Sequence, residues 1–299
     1  MTDALQDLAI ALARSAQAAR RLVASIALRH GRHLSGTLWR PDVLVASEQA
    51  LPRGEAFEVT MADARSSSAR VIGRDPTTNV AALRLETFAD PPPEPNAAVE
   101  AQVGSIALAY GADGTGGITS RWGVIQALGP AWTSRAGGRI DRRIVVDVRL
   151  SRSEEGGPVL DVAGGCLGIT TFAPARRVLV IPSATIDRSV EALLKHGRVA
   201  RGWLGVALQP VAIPDSLQSG AGQRTGMMVM SLAESGPAAT AGMVAGDILV
   251  SMNGTPTQRF RSLASQLGPE SVGVETEIKV LRAGALVALR ATIAARPPS

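Results

Sequence analysis

Side chains that titrate near neutrality or attack as a thiolate are few in this 299-residue sequence: it holds three histidines, His30, His33 and His196, and one cysteine, Cys166. An imidazole titrates near neutrality and can relay protons, and a thiolate attacks carbonyl carbon, but each needs partners at a fixed distance. The three histidines are scattered, with no metal-ligand spacing, so neither a metal nor any other cofactor is expected. His30 and His33 read as exposed or capping residues. His196 stands at a predicted helix end, where an imidazolium suits the dipole. Cys166, in the apolar run Cys166-Leu167-Gly168-Ile169, reads as a small buried hydrophobe, and one cysteine allows no intramolecular disulfide. The adjacent pair Glu154 and Glu155 brings two-carboxylate hydrolysis to mind. That chemistry needs groups flanking a bond from opposite sides, which neighbours on one loop do not supply, so the pair reads as a solvated acidic turn.

The elements that must position these residues are mainly strands. Between 22 and 90 the chain runs in short apolar or alternating stretches, such as Val43-Leu44-Val45 and Val80-Ala81-Ala82-Leu83, separated by Gly, Pro and Asp turns. The proline-rich stretch Asp90–Pro95 predicts a linker. A second strand-rich unit spans 98–187, with turns at Gly111–Gly114, Ala136–Gly138 and Ala163–Gly165. A closing helix follows, with Ser183 as predicted N-cap, an apolar face of Ile186, Val190, Leu193 and Leu194, and Gly197 as C-cap. After about residue 199 a third unit of mixed α+β character reaches Ser299. It carries a polar insertion from Pro214 to Gly226, strands at Met227–Ser231 and Ile248–Met252, and a helix near Phe260–Leu267. At the other end, Met1–Arg21 predicts a helix with one stripe of Leu5, Leu8, Leu12, Ala16 and Ala19.

Composition narrows the function classes. Apolar residues make up 45% and charged residues 19%, which is globular, and no run approaches the length of a membrane span. The net charge of +5 is scattered, and aromatics are only 3%, so a dedicated basic groove is not expected, base-stacking platforms are few, and nucleic acid is not an expected partner. Asp3 and Asp7 precede the first apolar stretch, where an export signal would carry positive charge. The expectation is therefore a cytoplasmic location.

Three segments then stand in a telling order. Asp42–Leu51 (DVLVASEQAL), Arg74–Leu85 (RDPTTNVAALRL) and the loop Ser153-Glu154-Glu155-Gly156-Gly157-Pro158 resemble the histidine, aspartate and nucleophile segments of the HtrA (Deg) family, which read GVIVTAAHVL, DPRTDVALLRL and GNSGGP. Further similarity at Ala109–Leu128 and Ala192–Val206 extends the resemblance over nearly all of the chain beyond the first helix. It implies a mainly β fold: a trypsin-like double β-barrel over 22–198, followed by an α+β PDZ domain over 199–299, with the N-terminal helix in front over 1–21. The family's habit of export makes the periplasm the alternative location, and its trimers make the Leu5, Leu8, Leu12 stripe an expected contact in a homo-oligomer.

At the positions the resemblance assigns to the triad stand Gln49, Asn79 and Glu155. An acyl-transfer triad needs a nucleophile whose proton can leave, a base titrating near neutrality and an anion to hold it. Two amides and a carboxylate meet none of these needs, so no catalytic role is expected and the chain is expected to be no enzyme. The oxyanion loop Ser153, Glu154, Glu155 lacks the family's leading glycine, and Glu155 is expected either to fill the hole's donor pocket or to point out beside Glu154 as a small acidic surface.

The third unit keeps the features of the family's PDZ domains: Gly202-Trp203-Leu204-Gly205-Val206 at the carboxylate-binding loop, then Ser235-Gly236-Pro237, Gly246-Asp247-Ile248-Leu249 and the tight turn Asn253-Gly254. Loop amides capture a terminal carboxylate while the peptide adds a strand to the sheet. Leu204 and Val206, with Leu263 and Leu267 on the helix, are expected to line a pocket for an apolar last residue. The function expected is a pseudoprotease that binds peptides or protein C-termini as scaffold, sensor or regulator. The alternatives are an active HtrA-type serine endopeptidase in protein quality control and a structural subunit regulating an active paralogue.

Overall fold

A computed structural model describes residues 2–61, 64–86, 96–97, 100–174 and 177–297. The expected linker Asp90–Pro95 lies outside the described residues. The chain divides into two units, one of Met1–Ser134 with Arg139–Val199, and one of Ala200–Ser299 to which Arg135–Gly138 also belongs.

In the first unit, helix α1 (Thr2–Ala19) precedes six strands: β1 (Val23–Ala27), β2 (His33–Arg40), β3 (Val43–Ser47), β4 (Ala56–Met61), β5 (Ser66–Asp75) and β6 (Val80–Leu85). They close into a barrel in the order β1-β2-β3-β6-β5-β4. Both faces of β3 are buried, which explains why Val43–Ser47 reads as a continuous apolar run instead of an alternating one. One face looks into the barrel core of Ile26, Leu38, Leu44 and Leu83, and the other into a cluster with Val23, Val80, Tyr110, Ile169 and Leu193.

The second barrel uses β7 (Asn96–Ala97), β8 (Ile106–Ala112), β9 (Ile118–Gly129), the hairpin β10 (Trp132–Thr133) and β11 (Arg139–Ile140), then β12 (Arg143–Val146), β13 (Pro158–Leu160), β14 (Gly165–Phe172) and β15 (Val178–Pro182). The order β13-β8-β9-β12-β15-β14 closes into a six-strand ring by the pairing of β13 with β14, and β7 adds to β14 in parallel. Helix α2 (Ser183–His196) follows, burying Ile186, Val190 and Leu193. It ends at Gly197, whose φ of 68° is the left-handed cap that the sequence predicts. The N-cap is Pro182, one residue before the expected Ser183, whose hydroxyl instead donates to the carbonyl of Cys166. Only part of the α1 stripe meets the body: Leu12 and Ala16 pack on the core and Ala19 is buried, while Leu5 is 67% exposed.

The second unit is built on the sheet β17 (Val206–Ala212), β18 (Thr225–Leu232), β19 (Ile248–Met252), β21 (Glu275–Arg282) and β22 (Ala285–Thr292), with β20 (Thr255–Pro256) on β19 and a small pair of β16 (Gly202–Trp203) with β23 (Ala294–Ala295). Helices α3 (Asp215–Ala221), α4 (Pro237–Thr240) and α5 (Phe260–Ala264) pack around it. Two expectations need correcting. The polar insertion 214–226 holds α3, because Leu217 and Ala221 find apolar cover against Ile213, Val250 and Leu281. Helix α5 stops at Ala264, three residues short of Leu267.

Candidate active site

The three residues that the resemblance assigns to the triad positions, far apart in sequence, converge where the two barrels face each other. Gln49 follows the end of β3, Asn79 precedes β6, and Glu155 follows a short 3₁₀ turn at Arg152–Glu154. Asn79 adopts a φ of 62°, a left-handed conformation that asparagine tolerates better than most residues. The turn before β6 therefore fixes its side chain.

Glu155 is 6% exposed and takes four hydrogen bonds on one oxygen, Oε1. The donors are the Ser47 hydroxyl at 2.9 Å, Gln49 Nε2 at 2.6 Å, the Thr171 hydroxyl at 2.9 Å and the Phe172 N–H at 3.3 Å. Asn79 closes the set. Its Nδ2 donates to Thr171 Oγ1 at 2.7 Å and Ser47 Oγ at 3.0 Å, and its Oδ1 accepts the Gln49 N–H at 2.7 Å. Four neutral donors satisfy this buried carboxyl group much as water would, and among the described residues no ion pair reaches it.

This geometry corrects both expectations for the acidic pair. Glu155 neither plugs the oxyanion loop nor points out; it turns toward the other two triad positions. Glu154, only 2% exposed, is no acidic surface either. It accepts from Thr119 Oγ1 at 2.6 Å, from the Ser151 N–H at 2.6 Å and from Arg121 Nε at 3.1 Å. Burial alone would raise its pKa, but these bonds more than offset it and hold the carboxyl below its ordinary value. The solvated turn expected from sequence is in fact two buried carboxylates facing separate donor sets.

The rest of the loop keeps the backbone path that close packing requires. Gly156 has φ of 89°, its N–H donates to Thr170 O at 3.0 Å, and its carbonyl accepts the Thr37 hydroxyl at 2.9 Å. At Gly157 a Cβ would stand 1.9 Å from the carbonyl oxygen of Tyr110, so only glycine fits. Ser153 is held through its carbonyl by the Ser35 hydroxyl at 2.7 Å.

A cleft of about 780 Å³ opens over this network, lined by Gln49, Glu155, His33, Arg32, Arg152 and Phe172 among others. His33 shares it with Ser151 and Ser153, but His33 Nε2 lies 3.1 Å from the carbonyl of Ala112, and no histidine–serine hydrogen bond occurs among the described residues. His30 and His196 are exposed. Cys166 is buried and its thiol is pushed up to about 11, mainly by desolvation, which suits an inert core residue. Sequence reasoning missed Ser47 and Thr171. Ser47 was within reach, two residues before Gln49, but nothing in the sequence pairs Thr171 with a position 122 residues earlier.

In the second unit Gly202 and Trp203 form β16, and Gly205, with φ of 75°, turns the chain between Leu204 and Val206. The amides of Leu204 and Gly205 find no acceptor among the described residues. Among the described residues strand β17 is the end strand of its sheet and pairs with β18 alone. Of the four expected pocket residues, Leu204 (2% exposed) and Leu263 (7%) belong to the closed core, because a domain this small needs them to cover Met227, Val229 and Ile278. Val206 and Leu267 are half-buried at its margin.

Comparison with known proteins agrees with this architecture. Residues 34–169 match the trypsin-like peptidase domain family and residues 202–293 the PDZ domain family. The chain is 31% identical over 269 residues to a probable periplasmic serine endoprotease DegP-like from Brucella suis biovar 1, covering 85% of this chain and 50% of that protein. A like-named protein from Rhizobium meliloti is 30% identical over 256 residues, covering 81% and 49%. The chain thus spans about half the length of the curated relatives it matches. Among solved structures, the HtrA-type protease AlgW with decapeptide superposes at a TM-score of 0.73 with 23% identity, covering 96% of this chain and 99% of that one. The serine endoprotease from Yersinia pestis does so at 0.71 with 24% identity, covering 95% and 98%.

These relatives overturn one expectation and turn another. Residue types at three positions led to the expectation that the chain is no enzyme. The proteins it resembles over most of its length are named serine endoproteases, which points to a protease. Their names also place them in the periplasm, against the cytoplasmic expectation. Similarity that runs through both barrels and on into the PDZ domain, in one order and nearly without remainder, makes this chain a member of the HtrA family.

Proposed function

We propose that the protein recognises polypeptides in the manner of HtrA proteins, with the PDZ domain capturing the C-terminal end of a partner chain. The observation that carries this is the pair of amides at Leu204 and Gly205, left without acceptors beside the free edge of β17. Two such donors suit a terminal carboxylate, and the open edge suits an added strand. Val206 and Leu267, half-buried at the margin of the core, give an apolar seat for the last side chain. The exposed Leu5 and Leu8 of α1 are then the contact of a homo-oligomer, a trimer by family habit, and the relatives' names favour the periplasm as its place. The test is fluorescence anisotropy with a peptide ending in valine, as free acid and as amide. The free acid should bind at least tenfold more tightly, and Val206→Glu should abolish the difference. Equal binding of acid and amide removes the reading.

A second reading has the chain cleave unfolded polypeptides, as the names of its relatives describe. Membership of a protease family and a retained Gly156-Gly157-Pro158 frame support it. With Gln49, Asn79 and Glu155 tied to one another, hydrolysis here must draw its nucleophile and base from other side chains. Incubation with unfolded casein and a fluorophosphonate probe tests this. Cleavage that survives repurification, with label on a serine, supports it, and absence of both sinks it.

A further inference from the structure

The cleft above Glu155 has a charge pattern that the triad comparison does not touch. Arg32 and Arg152 line it, both exposed, and neither side chain makes a hydrogen bond or ion pair among the described residues. Some arginines elsewhere are engaged, Arg84 with Asp42 at 2.5 Å, Arg121 with Glu154 at 3.1 Å, Arg188 with Asp141 at 2.6 Å and Arg282 with Asp247 at 2.8 Å, so what sets Arg32 and Arg152 apart is that both line one cleft. The same lining mixes apolar Leu28, Leu34, Ala50 and Phe172 with polar His33, Gln49, Ser151 and Ser153. At the floor all four hydrogen bonds of Glu155 fall on Oε1, and Oε2 has no hydrogen-bond partner among the described residues.

The geometry points to an acidic polypeptide segment as the ligand of this cleft, with aspartate or glutamate side chains taken by Arg32 and Arg152 at the rim and apolar side chains between them. This rests on reading the cleft as a polypeptide site. A guanidinium presents a planar fork that pairs a carboxylate through two N–H bonds, and an unpaired one keeps that capacity for a partner. The remaining Glu155 oxygen repels an anion from the floor, so acidic side chains are held at the rim, where salt screens the contact. A basic segment meets two like charges before it reaches the floor. The site thus discriminates by sign, with repulsion contributing as much as attraction.

The experiment uses the full chain and three fluorescent peptides of one length, N-acetylated and C-amidated so that no terminal carboxylate is present for the PDZ domain. All alternate leucine or phenylalanine with a polar residue, which is aspartate, glutamine or lysine. Binding is read by anisotropy at low and at 0.3 M salt. The aspartate peptide should bind roughly tenfold or more tightly than the lysine peptide at low salt, with the gap narrowing at high salt. Arg32→Ala with Arg152→Ala should close most of that gap, and Arg32→Glu with Arg152→Glu should invert it. Both residues are exposed and unbonded, so the melting temperature should hold. Binding of the free-acid valine peptide should also hold, which separates failure here from failure of the PDZ reading. Equal affinity for the three peptides, or an aspartate preference that survives in the double variant, overturns the proposal. So does a single-stranded oligonucleotide that binds as tightly as the aspartate peptide, since the cleft would then take any polyanion.

Discussion

Replacing Glu155 by alanine tests whether the network at the triad positions holds the two barrels together. Ser47 lies on the first barrel and Thr171 on the second, and both donate to the same carboxylate oxygen. Loss of that oxygen does not strand every donor. The Ser47 hydroxyl can turn to Asn79 Oδ1 at 3.3 Å, and Gln49 Nε2 retains Phe172 O at 3.2 Å. The Thr171 hydroxyl has no second acceptor among the described residues, and the Phe172 N–H loses its 3.3 Å contact. A donor losing a charged acceptor costs about 1–3 kcal/mol, and water entering from the cleft offsets part of it. Two such donors give a net loss of about 2–3 kcal/mol for Glu155→Ala. Glu155→Gln keeps a neutral acceptor in place and should lose only about 1 kcal/mol. For a unit of this size each kcal/mol lowers Tm by roughly 2–4 °C, so the alanine variant should melt roughly 4–12 °C earlier. Differential scanning calorimetry resolves this, because the PDZ transition should stay in place. An alanine variant that melts within a degree of the parent, or a glutamine variant that falls as far as alanine, refutes the reasoning.

Glu154 gives a pH dependence. Its folded pKa lies below the ordinary carboxylate value, so its contribution is complete above the unfolded pKa of about 4.3 and is lost as pH falls through the folded value. Glu154→Gln should therefore flatten the fall in barrel Tm between pH 5 and pH 3, and an unchanged slope rejects this. At Gly157 the 1.9 Å approach to the Tyr110 carbonyl predicts that Gly157→Ala costs about 3 kcal/mol or more in urea unfolding. Gly164→Ala, with φ of 84° but open space around it, should cost only about 1–2 kcal/mol of backbone strain. Leu204→Glu, which puts a charge into the closed core, should unfold the PDZ domain outright. Val206→Glu should leave it folded and unable to bind, as circular dichroism and anisotropy together can show.

Local sequence carried much of the fold. Apolar runs broken by glycine and proline place most strands within a few residues, and Gly197 and Asn253-Gly254 mark turns whose positive φ few other residues accept. Where reading failed, the cause was non-local. Residues 214–226 look polar, yet they form α3 because Val250 and Leu281, some thirty and more residues downstream, cover its apolar side. Leu204 and Leu263 suit a ligand pocket as well as a core, and only the packed domain shows which.

The same division holds at the site. By itself the sequence determined that two amides and a carboxylate occupy the three positions and that glycines follow, because residue type and order are covalent facts. Tertiary structure alone decided where the carboxylates turn: Glu155 inward to Ser47, Gln49 and Thr171, and Glu154 sideways to Thr119 and Arg121. A buried charge goes where donors are densest, and here those donors come from strands up to 108 residues away, brought together only when both barrels close.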